Sequence, residues 1–319
     1  MNNEAILRFR RIGLMTIIAV YILILIGGMV RASGAGMGCP DWPTCFGQLV
    51  PPTDESQLPA NYRELYPSYE NTDFNPVKTW TEYLNRLSGV TIGFLIMLTV
   101  WHSRQFLKTD KAVFYLSLSV FLLVGFQGWL GARVVASNLN PYIITVHMLV
   151  ALLIVVLLIY AIARSQHDFI QQLDTSQLSP HFKTVLITAM VITLIQVVMG
   201  TQVREAVDTI ANQHDYIDRQ FWRDSFPFIF YVHRSFSAVI LFTNLWLVWQ
   251  VYRHIARDNL LFKTAQSLIV LIIIAILAGM SLDRLGMPAV AQPIHLLMAN
   301  LIFGTQFFLF ICLRYSKEN

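Results

Sequence analysis

FYVHRSFS, residues 230–237, sets a histidine and an arginine side by side in an otherwise apolar run, and EYLNRLSG, residues 82–89, carries a related phrase 148 positions earlier. Tyr83, Asn85 and Arg86 stand in the first copy where Tyr231, His233 and Arg234 stand in the second. The same offset pairs Gly131 with Gly279, His147 with His295 and Ala151 with Ala299. Three apolar runs also end alike, in GGMVRAS from Gly27, LGARVVAS from Leu130 and MGTQVREA from Met199. A displacement that holds over so long a stretch reads as duplication, and a repeat fixes the architecture before any element is assigned.

The unit that repeats is membranous. Hydrophobic residues make up 55% of the chain and charged residues 13%, with a mean hydropathy of +0.54. A bilayer core takes about 20 apolar residues per helix. The runs that meet this are 12–31, 82–102, 112–133, 141–163, 184–203, 227–250, 265–283 and 289–313. The expected fold is therefore an all-α integral membrane protein with eight transmembrane helices. Four helices per copy is an even number, so both copies enter the bilayer in the same sense, as parallel repeats do. Residues 1–163 form one four-helix bundle with a long outer loop over 32–80, residues 164–183 a cytoplasmic linker, and residues 184–319 the second bundle. Each bundle can build a site from side chains on facing helices.

Basic residues concentrate at both ends of the chain and in the 104–111, 164–183 and 253–263 connections. The positive-inside rule then makes both termini cytoplasmic and puts 32–80 and 204–225 outside. The net charge of +4 restates this asymmetry and calls for no nucleic-acid partner. Arg8–Arg11 followed by apolar residues resembles a signal peptide, but the run exceeds the usual ~7–15 residues, so it is kept as a helix. No Arg-rich, Ser-rich transit segment precedes it, which favours a bacterial plasma membrane. Cys39 and Cys45 frame GCPDWPTC in the outer loop, where a disulfide is permitted; two free thiols are the alternative. Cys312 reads as a packing residue.

Of the eight histidines, His102, His167, His181 and His254 lie among charged neighbours at the cytoplasmic side, and His214 in an outer loop beside Asp215. These are read as solvated. His147, His233 and His295 each fall near the outer start of an even-numbered helix, at one common depth. Ionisable residues inside a membrane mark function by default. His233 and His295 can face each other across a flat ligand, the arrangement of bis-imidazole haem iron. Zinc would ask for further thiolate or carboxylate ligands. Arg86 and Arg234 follow the ligand positions and suit haem propionates, or else snorkel to the headgroups of membrane lipid. Arg31, Arg133 and Arg204, at the outer ends of odd-numbered helices, are weaker candidates of the same kind.

With these residues in view, the chain resembles the haem A synthase family of cytochrome oxidase assembly. The motifs that carry the resemblance are GGMVRASGAGMGCPDWPTCFG, EY-x-x-R, QGWLGARVV, HR in the sixth span and PIH in the eighth. The resemblance implies oxidation of a methyl group of haem O to a formyl group. It implies a haem b cofactor on His233 and His295, haem O as substrate near His147, Glu82 as a catalytic residue and a Cys39/Cys45 pair in the outer loop. It also suggests, as partners, a haem O synthase, terminal oxidase subunits and an electron donor that the residues do not name.

One departure stands out: Asn85 occupies a position where many relatives carry histidine. A haem held by His147 alone keeps one face open to dioxygen, with Asn85 placed to hydrogen-bond what occupies it. Glu82, three residues earlier on the same helix face, is then a candidate proton shuttle. Two other functions compete. A di-haem b membrane cytochrome passing electrons from quinol explains the histidines but not Glu82 and Asn85. A non-enzymatic haem-binding assembly protein would use 32–80 and 204–225 as docking surfaces. A solute transporter is disfavoured by the absence of broken helices and intramembrane acids.

Overall fold

The computed structural model describes residues 3–70, 72–213, 222 and 224–316. Among these, eight helices are long and apolar enough to cross a membrane. They are α1 (Asn3–Ala32), α2 (Pro76–Ser103), α3 (Lys111–Ala136), α4 (Pro141–Arg164), α5 (Phe182–Gln213), α6 (Phe228–His254), α7 (Leu260–Arg284) and α8 (Ala291–Tyr315). The only pairing outside helices among the described residues is an isolated bridge between Cys45 and Gln48.

The helix starts follow local chemistry. Asn75, Asp110, Asn140 and Asn259 each accept a backbone N–H of the first turn of α2, α3, α4 and α7, which satisfies donors a helix start leaves orphaned. Pro76 and Pro141 occupy the first turns of α2 and α4, where a missing N–H costs nothing. Two boundaries depart from the hydropathy reading. α2 begins at Pro76 rather than 82, because the Asn75–Pro76 start lies in a polar stretch. α5 continues to Gln213, ten residues past the apolar run, so the expected outer loop 204–225 opens as helix. Its far side includes Trp222 and Phe226, which bury against Val207, Ile210, Phe230 and Met287. His214 lies outside the described residues.

Each helix packs on the next. Within the first four, α4 also returns to α1; within the last four, α8 returns to α5. α8 further touches α1 and α4, and α4 touches α5. α8 is the most buried of the eight helices, and its position joins the early and late parts of the chain.

The segment between α1 and α2 folds into a cap. Cys39 and Cys45 are disulfide-bonded. Asp41 gathers the ring by accepting Phe46 N at 2.6 Å, Gly47 N at 2.9 Å and the Thr44 hydroxyl. The Phe46 ring meets Tyr62, Tyr66, Tyr69 and Phe74 edge-on, at centroid distances of 5.0–6.4 Å, contacts worth about 0.5–1.5 kcal/mol each beyond their area. Gly38 lies directly on the backbone of α2: a Cβ there would sit 2.4 Å from Lys78 O. Tyr69 donates to Gly38 O at 3.1 Å and Thr79 Oγ1 to the same oxygen at 2.9 Å. Burial pushes the Tyr69 hydroxyl up to about 12.

Candidate functional site

Four helix pairs build comparable junctions. A Cβ added to Gly27, Gly131, Gly200 or Gly279 would approach, in turn, Asn85 Oδ1 at 3.8 Å, His147 Cε1 at 3.7 Å, His233 Cε1 at 3.3 Å and His295 Cε1 at 3.2 Å. A helix that must press a ring against its neighbour needs the small residue most at Gly200 and Gly279, where the gap is tightest. His147, His233 and His295 are the seventh, sixth and fifth residues of α4, α6 and α8.

Further polar contacts hold these turns. Gln127 Nε2 donates to His147 O at 2.8 Å and Gln196 Nε2 to His233 O at 3.0 Å. These two glutamines were not singled out from the sequence, although a signal existed: Gln127 and Gly131, like Gln196 and Gly200, recur at the same four-residue spacing. His295 Nδ1 lies 2.9 Å from Ala275 O, and donation there leaves the Nε2 lone pair for a metal. The Nδ1 atoms of His147 and His233 and the Oδ1 of Asn85 are buried without a hydrogen-bond partner.

The fit to haem can be tested on distances. The His233 and His295 ring centroids are 6.3 Å apart with an interplanar angle of 72°. A metal–imidazole bond is about 2 Å, and a ring centroid lies roughly 1 Å beyond its nitrogen. Two imidazoles on opposite faces of one metal would therefore sit about 6 Å apart. The pair matches that spacing. No group of three or more His, Cys, Asp or Glu able to hold a metal ion occurs among the described residues.

All of these residues line one continuous cavity of about 2140 Å³, which includes Asn85, His147, His233 and His295. Single-ligand pockets run about 300–1,000 Å³, so this volume exceeds that of one such pocket. Also lining it, Arg31 Nη2 and Arg204 Nη2 reach the two oxygens of Asp208, at 2.6 and 2.7 Å, and Arg204 also donates to Gln292. Asp208 and Gln292 drew no notice in the sequence, because Asp208 stands where α5 outruns its apolar core.

Glu82 and Arg86 line the same cavity and join α2 to the cap. Glu82 is buried and accepts from Cys39 N at 2.9 Å and from Arg86 Nη2 at 2.5 Å and Nε at 3.1 Å. Arg86 also donates to Cys39 O at 3.0 Å, Asp41 O at 2.6 Å and Thr44 O at 3.0 Å. A guanidinium has five N–H donors, and these contacts use every one. The arginine thereby fastens the disulfide ring to α2, and it also lines the cavity. Arg234 differs, with a half-exposed side chain whose Nη1 reaches Asp283 at 3.3 Å.

Comparison with known proteins adds the last observation. A family model described as cytochrome oxidase assembly protein matches residues 10–307. A heme A synthase of Shewanella oneidensis is 35% identical over 161 residues, 50% of this chain and 47% of that protein. One from Alkalihalophilus pseudofirmus is 24% identical over 93% of this chain and 94% of its own. One from Rickettsia prowazekii is 22% identical over 90% and 92%. The match to the Shewanella protein thus spans about half its length, whereas the two more distant relatives align nearly end to end.

Proposed function

From the premise that this chain belongs to the cytochrome oxidase assembly protein family, we propose that it is a haem A synthase, an oxidoreductase that converts a methyl group of haem O to a formyl group. The observation that carries the reading is the cavity with two unequal sets of ligands: His233 facing His295 at 6.3 Å, and His147 with Asn85 in place of a second histidine. The chain is read as a parallel duplication, residues 1–163 and 184–319 joined by 164–183, with haem b in the later half and haem O in the earlier.

When bound, haem b supplies one-electron redox chemistry. His233 and His295 would hold it, and with both ligands supplied by the protein it would serve electron transfer. His147 orients the substrate from one side, and Asn85 keeps the opposite side polar, small and accessible. Adding an oxygen atom to a methyl carbon needs such a side. Glu82 is held against Cys39 N and Arg86 at the outer end of the same cavity, where it is placed to hand a proton between the cap and the Asn85 side. Arg234, with its guanidinium half exposed, remains the candidate for a propionate. The protein is read as residing in a bacterial plasma membrane with both termini cytoplasmic. A haem O synthase, terminal oxidase subunits and an electron donor are the partners this role requires.

The test is extraction and chromatographic identification of the haems bound to purified wild type and Glu82→Gln. Haem b together with haem O or haem A in the wild type, and no haem A in the variant, is the expected result. Two haem b per chain in both proteins would instead indicate an electron-transfer cytochrome.

A further inference from the structure

The cavity does not stop at the histidines. In the earlier half it runs out between α2 and α3, past Gly89, Gly93, Gly125 and Gly128, all of which line it. A Cβ added at any of the four would meet nothing within 4 Å. Glycine inside a helix costs about 0.5–1 kcal/mol relative to alanine. In membranes that cost is usually offset by close helix packing, but among the described residues none packs within 4 Å of a Cβ at these glycines. The half-exposed side chains of Val90, Phe94 and Leu122 flank the opening, so it faces the lipid side as well as the His147 chamber.

The later half gives the control. At the 148-residue offset, Gly89, Gly93, Gly125 and Gly128 correspond to Ser237, Leu241, Ile273 and Ile276. The register is sound in space, because Gly131 meets His147 as Gly279 meets His295. Leu241 and Ile276 pack against the hydrophobic core of the later half, and both project on the same cavity. One seam is therefore filled with branched side chains where the other is empty.

We propose that the α2–α3 opening is the site for the isoprenoid tail of haem O, and that Leu241 and Ile276 exclude that tail from the later half. This rests on the synthase reading above and deepens it. Haem O and haem b differ by the long isoprenoid substituent on one ring edge, and two otherwise similar chambers must sort them. An apolar slot continuous with the His147 chamber and open to lipid accepts the tail without drawing it through the polar outer cap. A filled seam admits only the untailed haem. The four glycines come from both walls of the seam and border the interior cavity, which favours a ligand over a second copy of the chain seated on one helix face.

The experiment uses the full-length purified protein, wild type, Gly93→Leu/Gly128→Ile, and the milder Gly93→Ala/Gly128→Ala, whose added Cβ atoms fit without displacement. Haem O and protohaem are titrated against each, with Soret absorbance as the readout, alongside haem extraction and oligomeric state. The expected result is at least a tenfold loss of haem O affinity in the Leu/Ile variant, a smaller loss in the alanine variant, and protohaem binding unchanged in both. The reciprocal Leu241→Gly/Ile276→Gly variant should take up haem O in the later half. Unchanged haem O affinity in the Leu/Ile variant overturns the proposal, as does an equal loss of both haems. A change of oligomeric state with haem O affinity intact also overturns it, in favour of a second copy. Haem A formation by the wild type separates the two claims: with it, these negative results remove the slot alone; without it, the synthase reading fails and takes the slot with it.

Discussion

Asn85–Arg86 and His233–Arg234 begin as the same phrase and end in different chemistry. In the earlier copy the arginine is 15% exposed and its partner Glu82 5% exposed, with the guanidinium enclosed by three carbonyls of the disulfide ring. In the later copy the arginine is 47% exposed and reaches Asp283 across from α7. One copy has a lid built onto it and an open apolar seam beneath; the other has a second histidine and a filled seam. On the duplication reading, one scaffold has diverged between its halves. The residues that differ are those to which the proposed function gives the choice of ligand, the free iron face and the cover of the mouth.

The largest expected break in this comparison comes from the ligands. His295→Ala should remove nearly all haem from the later half, more than tenfold by pyridine haemochrome assay, whereas His147→Ala should leave that haem in place. Next come the two arginines. Arg86→Gln strands a buried carboxylate, so a loss of about 3–5 kcal/mol is expected, read as a lowered unfolding temperature and faster reduction of the Cys39–Cys45 bond. Arg234→Gln should cost no more than about 1 kcal/mol, as exposed pairs do. Equal effects would mean that the cap adds nothing to the pair beneath it.

Gly38→Ala should loosen the cap by about 1–3 kcal/mol, the usual result of overpacking, because the new methyl meets the α2 backbone. Asn85→His probes the open face: a several-fold fall in haem A yield is expected, with a Soret band closer to that of the later site, and unchanged or higher yield would sink the idea. The smallest effect concerns pH. Tyr69 titrates at about 12 in the cap against about 10 in an unfolded chain. Its contribution is therefore complete below pH 10 or so and is lost as pH rises toward 12, which tyrosinate absorbance and thiol trapping would follow together.

Much of this was legible beforehand. Apolar length alone gave the eight spans, and the offset between Tyr83 and Tyr231 pointed to the paired histidines. The misread boundaries have one cause: hydropathy marks where a helix meets lipid, whereas hydrogen bonding carries α5 on to Gln213 and caps start α2 at Asn75. The contacts of Arg86 with the cap were not legible for another reason. Its partners, the carbonyls of residues 39, 41 and 44, become neighbours only when the loop folds back, and backbone acceptors leave no trace in a residue pattern. The glycines opposite Leu241 and Ile276 were visible in the alignment of the halves, but only coordinates show that the space beside them is empty.

The place of α8 has a consequence for how the protein is made. This helix touches α1, α4, α5 and α7 and carries His295, yet seven spanning helices leave the ribosome before it. Until it inserts, the early helices have no partner along that face, and His233 lacks the ring it faces at 6.3 Å. Closure of the bundle must therefore wait for α8. A chain interrupted ahead of α8 would stay in the membrane as an unclosed assembly, open to quality-control proteolysis.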